Sequence, residues 1–262
     1  MRWRLGGRYV PASPRTMTAH LLGTGSANAG PHRTTTMLAV EHGGRLVLID
    51  CGGDAIQRMQ ACGLDPLAID AVVLTHEHPD HISGYPLLLE KLWLMGRRDP
   101  LPVYGPAATL EKARALFAIF DTLKWTDMPE RHFHPVEMRP DAPVTTLGDL
   151  AVTAAPVEHP VPTIGLRFEA DDRVLAYSCD TALSGAVVEL ATGADVLIHE
   201  GTGSLPGVHS SPEEAAEVAV QAGARRLVLV HAPVGASDDG LAQARATFAA
   251  TTWGHDGDRV EV

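Results

Sequence analysis

Six consecutive residues, His76-Glu77-His78-Pro79-Asp80-His81, constrain this chain more than any other stretch. They follow the apolar run Val72-Val73-Leu74, which reads as a buried strand ending near Thr75. A loop leaving a strand end can turn alternate side chains, His76 and His78, toward one point, and Asp80 and His81 toward a second. Imidazole and carboxylate donors together suit zinc, manganese or iron. Two such ions roughly 3.5–4 Å apart can clamp both the attacking and the leaving oxygen of a displacement. The run by itself leaves a one-metal and a two-metal site open.

The rest of the composition narrows the setting. The chain has 262 residues, 45% of them hydrophobic, enough for the large core of a layered α/β enzyme. Its formal charge of −11 argues against broad, non-specific binding to nucleic acid, which needs a basic surface. Cys51, Cys62 and Cys179 are too few and too scattered for a disulfide framework or a Cys-rich zinc site, and they fit a reducing cytoplasm. Residues 1–18 read as a loose extension without a signal peptide, and residues 19–262 as a single catalytic domain. No window has the apolar length of a membrane span.

Along the chain, short β-rich runs alternate with helical patterns. Ala19–Leu22 leads into the glycine loop Gly23-Thr24-Gly25-Ser26, and Thr36–Val40 and Leu46–Ile49 read as a hairpin around His42-Gly43-Gly44. Helices are expected over Asp54–Ala61, Tyr85–Met95, Ala107–Phe120 and Leu241–Ala250. A further helix opens at Ser211-Pro212-Glu213-Glu214, where Ser211 can cap, Pro212 suits the first turn and Glu214 completes a capping box. Residues 121–148, rich in proline and charge, read as irregular. Strands are expected at Pro102–Tyr104, Ala151–Ala155, Ile164–Glu169, Arg173–Tyr177, Val196–His199, Leu227–Val230 and, at an edge, Arg259–Val262.

The run Thr75–Gly84 resembles the signature of the metallo-β-lactamase superfamily. Several further segments resemble its ribonuclease Z branch: Leu22–Ser26 with Arg33, Leu46–Gly52, Leu101–Pro106, Ser178-Cys179-Asp180-Thr181, Ile198-His199-Glu200-Gly201, His209–Ala216 and Val230-His231. The resemblance runs over residues 19–232 in order. It implies a four-layer αββα sandwich with two divalent ions, zinc first and manganese or iron as alternatives, at the edge between the sheets. Carried over residue by residue, it implies that His76, His78 and His159 hold one ion, Asp80, His81 and His231 the other, and Asp180 bridges them.

The implied activity is hydrolysis of a phosphodiester by a metal-bridging hydroxide, with hydrolysis of a lactone, thioester or other ester as the alternative. The expected catalytic residues are Asp80, Glu200 and His209, the last two as a pair supplying the leaving-group proton. A carboxylate beside an imidazole raises its pKa and fixes its tautomer. Ser26, with Gly23 and Gly25, is expected to offer backbone N–H groups to a phosphate. Arg33 is expected either to bind phosphate or to pair with a carboxylate, and Asp50 to orient the metal loop. Glu41, His42, His132, His134 and His255 read as solvated or loop residues.

Ribonuclease Z proteins carry a long arm that grips tRNA, inserted between the positions matching His159 and Asp180. Here those positions are 21 residues apart, which leaves room for two short strands and a turn. The expected partner is therefore a small phosphodiester. Nucleic acid is not favoured, a tRNA 3′-processing activity is the alternative, no membrane is expected, and a homodimer is left open.

Overall fold

The computed structural model describes residues 16–236 and 238–262. Among them, strands β1 (Thr18–Gly23), β2 (Met37–His42) and β3 (Arg45–Ile49) form an antiparallel meander. β4 (Ala71–Val73), β5 (Leu101–Gly105) and β6 (Arg131–Pro135) extend it in parallel, and β14 (Arg259–Glu261) closes the other edge against β1. The second sheet repeats the plan. β7 (Ala142–Leu147), β8 (Leu150–Pro156), β9 (Ile164–Ala170) and β10 (Arg173–Tyr177) are antiparallel, while β11 (Val196–Glu200), β12 (Leu227–Val230) and β13 (Thr251–Trp253) follow in parallel.

Alternation along each strand explains how the two sheets stack. In β3, Val47 and Ile49 face the second sheet and Leu46 and Leu48 face outward. In β12, Val228 and Val230 face the first sheet, while Leu227 and Leu229 turn outward. Both faces of these strands are apolar because both are covered. Between the sheets, Leu166, Phe168, Tyr177 and Ile198 are completely or almost completely buried. Each such side chain contributes about 1.5–3 kcal/mol relative to exposure.

Helices α1 (Ala55–Ala61), α3 (Tyr85–Leu94) and α4 (Ala107–Ala118) cover the first sheet, with α2 (Pro79–Ile82) a single turn within the metal motif. Helices α5 (Gly185–Leu190), α6 (Pro212–Ala222) and α7 (Asp238–Thr247) lie on the side of the second sheet. The layers are αββα, as the resemblance implies. α6 starts on the expected capping box, with Ser211 Oγ accepting from the Glu214 N–H and the Glu214 carboxylate accepting from the Ser211 N–H.

Several expectations are corrected. Residues 121–148 are not irregular throughout, since they contain β6 and β7 at sheet edges. The last helix lies earlier than Leu241–Ala250, and β13 takes up Thr251–Trp253. Helix α5 was not anticipated. The extension expected over 1–18 lies outside the described residues as far as residue 15, but Met17 is core and Thr18 begins β1. His42 is also not solvated. It is buried, with Nε2 3.7 Å from Asp171 Oδ2 across the sandwich.

The consequence for the site is directional. In both sheets the parallel strands end at one edge, and the residues that follow β3, β4, β10 and β12 there are Asp50, Thr75-His76, Asp180 and His231. The carboxyl ends of parallel strands are where open α/β sheets place their ligands.

Candidate metal centre

Four histidines in this edge have one ring nitrogen committed and the other free. His81 Nδ1–H donates to Asp50 Oδ2 at 2.8 Å, and His159 Nδ1–H donates to the Val208 carbonyl at 2.9 Å. Thr75 Oγ1 donates to Asp50 Oδ2 at 2.7 Å, so it accepts from His76 Nδ1, 3.2 Å away. Thr202 Oγ1 donates to the His231 carbonyl at 2.9 Å, so it accepts from His231 Nδ1, 2.6 Å away. Each hydroxyl has one hydrogen, and giving it elsewhere fixes the tautomer of the ring it faces. Nε2 is thereby left bare on His76, His81, His159 and His231.

The bare nitrogens converge. His78 presents Nδ1 at 3.1 Å from His76 Nε2 and 3.2 Å from His159 Nε2. A single proton on His78 can satisfy only one of these neighbours, so lone pairs are left facing each other. A second group joins Asp80, His81 and His231, with His231 Nε2 3.4 Å and His81 Nε2 3.6 Å from Asp80 Oδ2. Asp180 Oδ2 stands between the groups, 3.9 Å from His76 Nε2, 3.5 Å from His81 Nε2 and 3.3 Å from His231 Nε2. His81 Nε2 and Asp180 Oδ1 are buried without a hydrogen-bond partner. Convergent lone pairs and unpartnered buried polar atoms of this kind fit divalent cations.

The electrostatics agree for the first group. Burial, then neighbouring imidazoles, push His76 well below the usual imidazole range, and burial also lowers His159. Both therefore stay neutral, the form a metal requires. In the second group, burial disfavours charge on His81, but Asp180 and Asp50 outweigh it and raise the imidazole well above its usual range, a positive charge that a cation would replace. Burial disfavours the charged form of Asp180, but His231 and His81 outweigh it and hold the carboxyl well below its ordinary range.

The backbone carries strain at the same places. Asp50, Cys179 and His231 adopt positive φ of 60°, 56° and 55°, a region that costs a non-glycine residue about 1–2 kcal/mol. Cys179 Sγ donates to Thr75 Oγ1 at 3.0 Å, so it buttresses the Thr75–His76 contact. Gly52 and Gly84 let two backbone segments approach the metal loop. A Cβ on Gly52 would lie 1.6 Å from the Asp80 carbonyl oxygen, and one on Gly84 2.4 Å from that of Cys51.

Beside these groups, the buried Glu200 carboxylate contacts His209 Nδ1 at 2.8 Å. The His209 ring lies 5.5 Å from that of His159 and 5.4 Å from that of His231, so it overlooks both groups.

The glycine loop departs from expectation. The Gly25 N–H donates to the Thr34 carbonyl and the Ser26 N–H to the Ala232 carbonyl, while the Thr24 N–H donates to Asp256. Those groups are spent within the protein and are not offered to a phosphate. Ser26 Oγ donates to Asn28 Oδ1. Arg33 donates to Thr24 Oγ1 and the Gly254 carbonyl, which commits its guanidinium to the loop. Sequence reasoning missed Thr202, Asp256 and the role of Cys179. For Thr202 a signal existed, since it stands two residues after Glu200.

Known proteins agree with this architecture. The pattern of the family described as "Beta-lactamase superfamily domain" matches residues 45–232. Ribonuclease Z of Mycobacterium marinum is 34% identical over 239 residues, covering 80% of this chain and 84% of the relative. Among solved structures, the metallo-β-lactamase fold protein YhfI from Bacillus subtilis superposes with a TM-score of 0.81 at 24% identity, covering 95% of this chain and 100% of that one. The short form of human tRNase Z gives 0.77 at 22% identity, covering 93% and 98%. The chain belongs to the β-lactamase superfamily domain family and is a metal-dependent hydrolase of the metallo-β-lactamase fold.

Proposed function

We propose that the chain is a dinuclear-metal phosphodiesterase. The observation that carries this reading is the Glu200–His209 pair set between the two groups of ligands. A thioester leaves as a thiolate and needs no proton donor there, whereas the alkoxide of a biological phosphodiester does. A lactone also leaves as an alkoxide, and against it the ribonuclease Z relatives favour the phosphodiester.

His76, His78 and His159 would hold one ion, Asp80, His81 and His231 the other, with Asp180 shared. Imidazole and carboxylate favour zinc, with manganese or iron as alternatives. Bound there, two such ions supply a water of lowered pKa and neutralise charge on the phosphoryl oxygens. The remaining work falls to side chains. Glu200 fixes the His209 ring through Nδ1, which directs Nε2–H toward the ligands and the leaving oxygen. Asp80, at 13% exposure against 3% for Asp180, is the ligand carboxylate more open to the substrate side and can accept a hydrogen bond from the attacking group.

The ribonuclease Z relatives support an RNA phosphodiester as substrate, and they outweigh the acidic composition that counted against nucleic acid. The span between His159 and Asp180 holds only β9, the Asp171-Asp172 turn and β10, with no arm to grip a folded tRNA. That supports a short or small diester over a complete precursor tRNA. The test is turnover by the zinc- or manganese-loaded protein on an aryl phosphodiester, short oligoribonucleotides, a precursor tRNA and a lactone panel. Diester cleavage with little lactone turnover is expected. Lactone turnover exceeding diester turnover overturns the reading, and accurate removal of a tRNA 3′ trailer overturns the substrate preference.

A further inference from the structure

His231 differs from its partners in the second group of ligands. Asp80 and His81 come from α2, on the first sheet, whereas His231 follows β12 and must reach across from the second. It does so from a left-handed backbone, φ 55°, that its own chain does not favour. Something else has to hold it.

Two sets of contacts do so. Thr202 Oγ1 binds both the His231 carbonyl, at 2.9 Å, and its Nδ1, at 2.6 Å. The next residue, Ala232, is tied to the first sheet through both of its backbone polar groups. Its N–H donates to the Thr24 carbonyl at 2.9 Å and its carbonyl accepts from the Ser26 N–H at 3.0 Å. The loop making these bonds is itself locked. Asp256 Oδ1 accepts from the Thr24 N–H at 2.9 Å and hydroxyl at 2.8 Å, and Oδ2 accepts from the Thr34 N–H at 2.8 Å. Arg58 lies 3.6 Å from the same carboxylate. The glycines are required by closeness: a Cβ on Gly23 would meet the Thr35 carbonyl oxygen at 2.0 Å, and one on Gly25 the Ala29 Cβ at 2.2 Å.

We propose that Thr202 and the Asp256-locked loop Gly23–Ser26 form a clasp across the two sheets that positions His231 and so sets the affinity of the second metal. The loop whose sequence suggests phosphate binding serves the metal site instead. Both Thr202 and Asp256 are positioning residues, since neither touches the reacting atoms. The inference rests on the dinuclear reading.

The test is calorimetric titration of metal-stripped protein with zinc, with circular dichroism to verify folding. Wild type should bind in two resolved steps. Thr202→Val, which keeps shape and loses the hydroxyl, should weaken the second step about 10–100-fold, the usual loss when an outer partner of a ligand is removed. The first step should be unchanged. Thr202→Ser should restore the second step, and Asp256→Asn should act like Thr202→Val. If Asp256→Asn does not fold, the Thr202 pair of variants decides alone. Two wild-type steps with the second unmoved in Thr202→Val, or both weakened equally, overturn the clasp and leave the dinuclear reading intact. A single wild-type equivalent overturns both.

Discussion

Glu200 Oε1 lies 2.8 Å from His209 Nδ1 and also accepts the Thr181 N–H at 2.9 Å, while Oε2 accepts the Thr202 N–H at 3.1 Å. One buried carboxylate thus ties the loop after Asp180, the loop before His209, and His209 itself. On the proposed reading, this contact holds His209 where a leaving oxygen would depart. His209→Ala should lower kcat about 10²–10⁴-fold on diesters with alkoxide leaving groups. The loss should be much smaller for nitrophenolate, which barely needs protonation. Glu200→Gln should act in the same direction, with the double variant less than additive because the pair works as a unit. Equal losses for good and poor leaving groups, with metals retained, would remove the donor role.

The same pair makes a prediction about pH. Burial opposes charge on His209, but the hydrogen bond and charge of Glu200 outweigh it and push the imidazole above its ordinary value of 6.5. On the proposed reading the protonated ring is the donor, and it is lost as pH rises through this raised value. The alkaline limb of kcat on an alkoxide diester should therefore lie above 6.5. In Glu200→Gln that limb should move to lower pH. A profile of kcat against pH for both proteins checks this, and a limb that stays in place would assign it to another group.

Metal content follows from the ligand geometry. Elemental analysis of protein purified without chelator should give about two equivalents of transition metal. Asp180 Oδ2 faces both groups, so Asp180→Ala should deplete both, while His231→Ala should deplete one. A protein that takes one equivalent even in excess zinc or manganese would contradict the assignment.

Gly52 offers a steric test that leaves every ligand side chain unchanged. A methyl there would meet the Asp80 carbonyl at 1.6 Å and His81 N at 2.8 Å, all of it backbone. Gly52→Ala should destabilise by about 1–3 kcal/mol, as overpacking does, and reduce bound metal by displacing α2. Gly30→Ala, where a Cβ meets nothing within 4 Å, is the control. Thermal melting with metal analysis of both variants decides the point. A Gly52→Ala protein with wild-type melting and metal content would show that α2 can shift freely.

What could be read in the sequence was what is local. Ser211 and Glu214 are three residues apart, so their capping box is visible in the string of letters. The metal motif is legible for the same reason, since its donors are neighbours. β6 was not, because Arg131-His132-Phe133-His134-Pro135 is an edge strand whose exposed side chains and proline blur the strand pattern. Asp256 was invisible because its partners, Thr24 and Thr34, lie more than 220 residues away. Arg33 was left open between phosphate and protein, and only the fold brings Gly254 to it.

The division of the proposed ligands between the sheets has a mechanical meaning. His76, His78, Asp80 and His81 hang from the first sheet, and His159, Asp180 and His231 from the second. Phe168, Leu166 and Ile198 of the second sheet share one buried cluster with Val47 and Ile49 of the first, so the spacing between donors depends on how that seam packs. Interior packing transmits strain because it is dense. A hydrophobic substitution in that seam, remote from every donor, should therefore shift the separation between the two halves of the site. Drift in the core of such a sandwich is thereby drift in its chemistry.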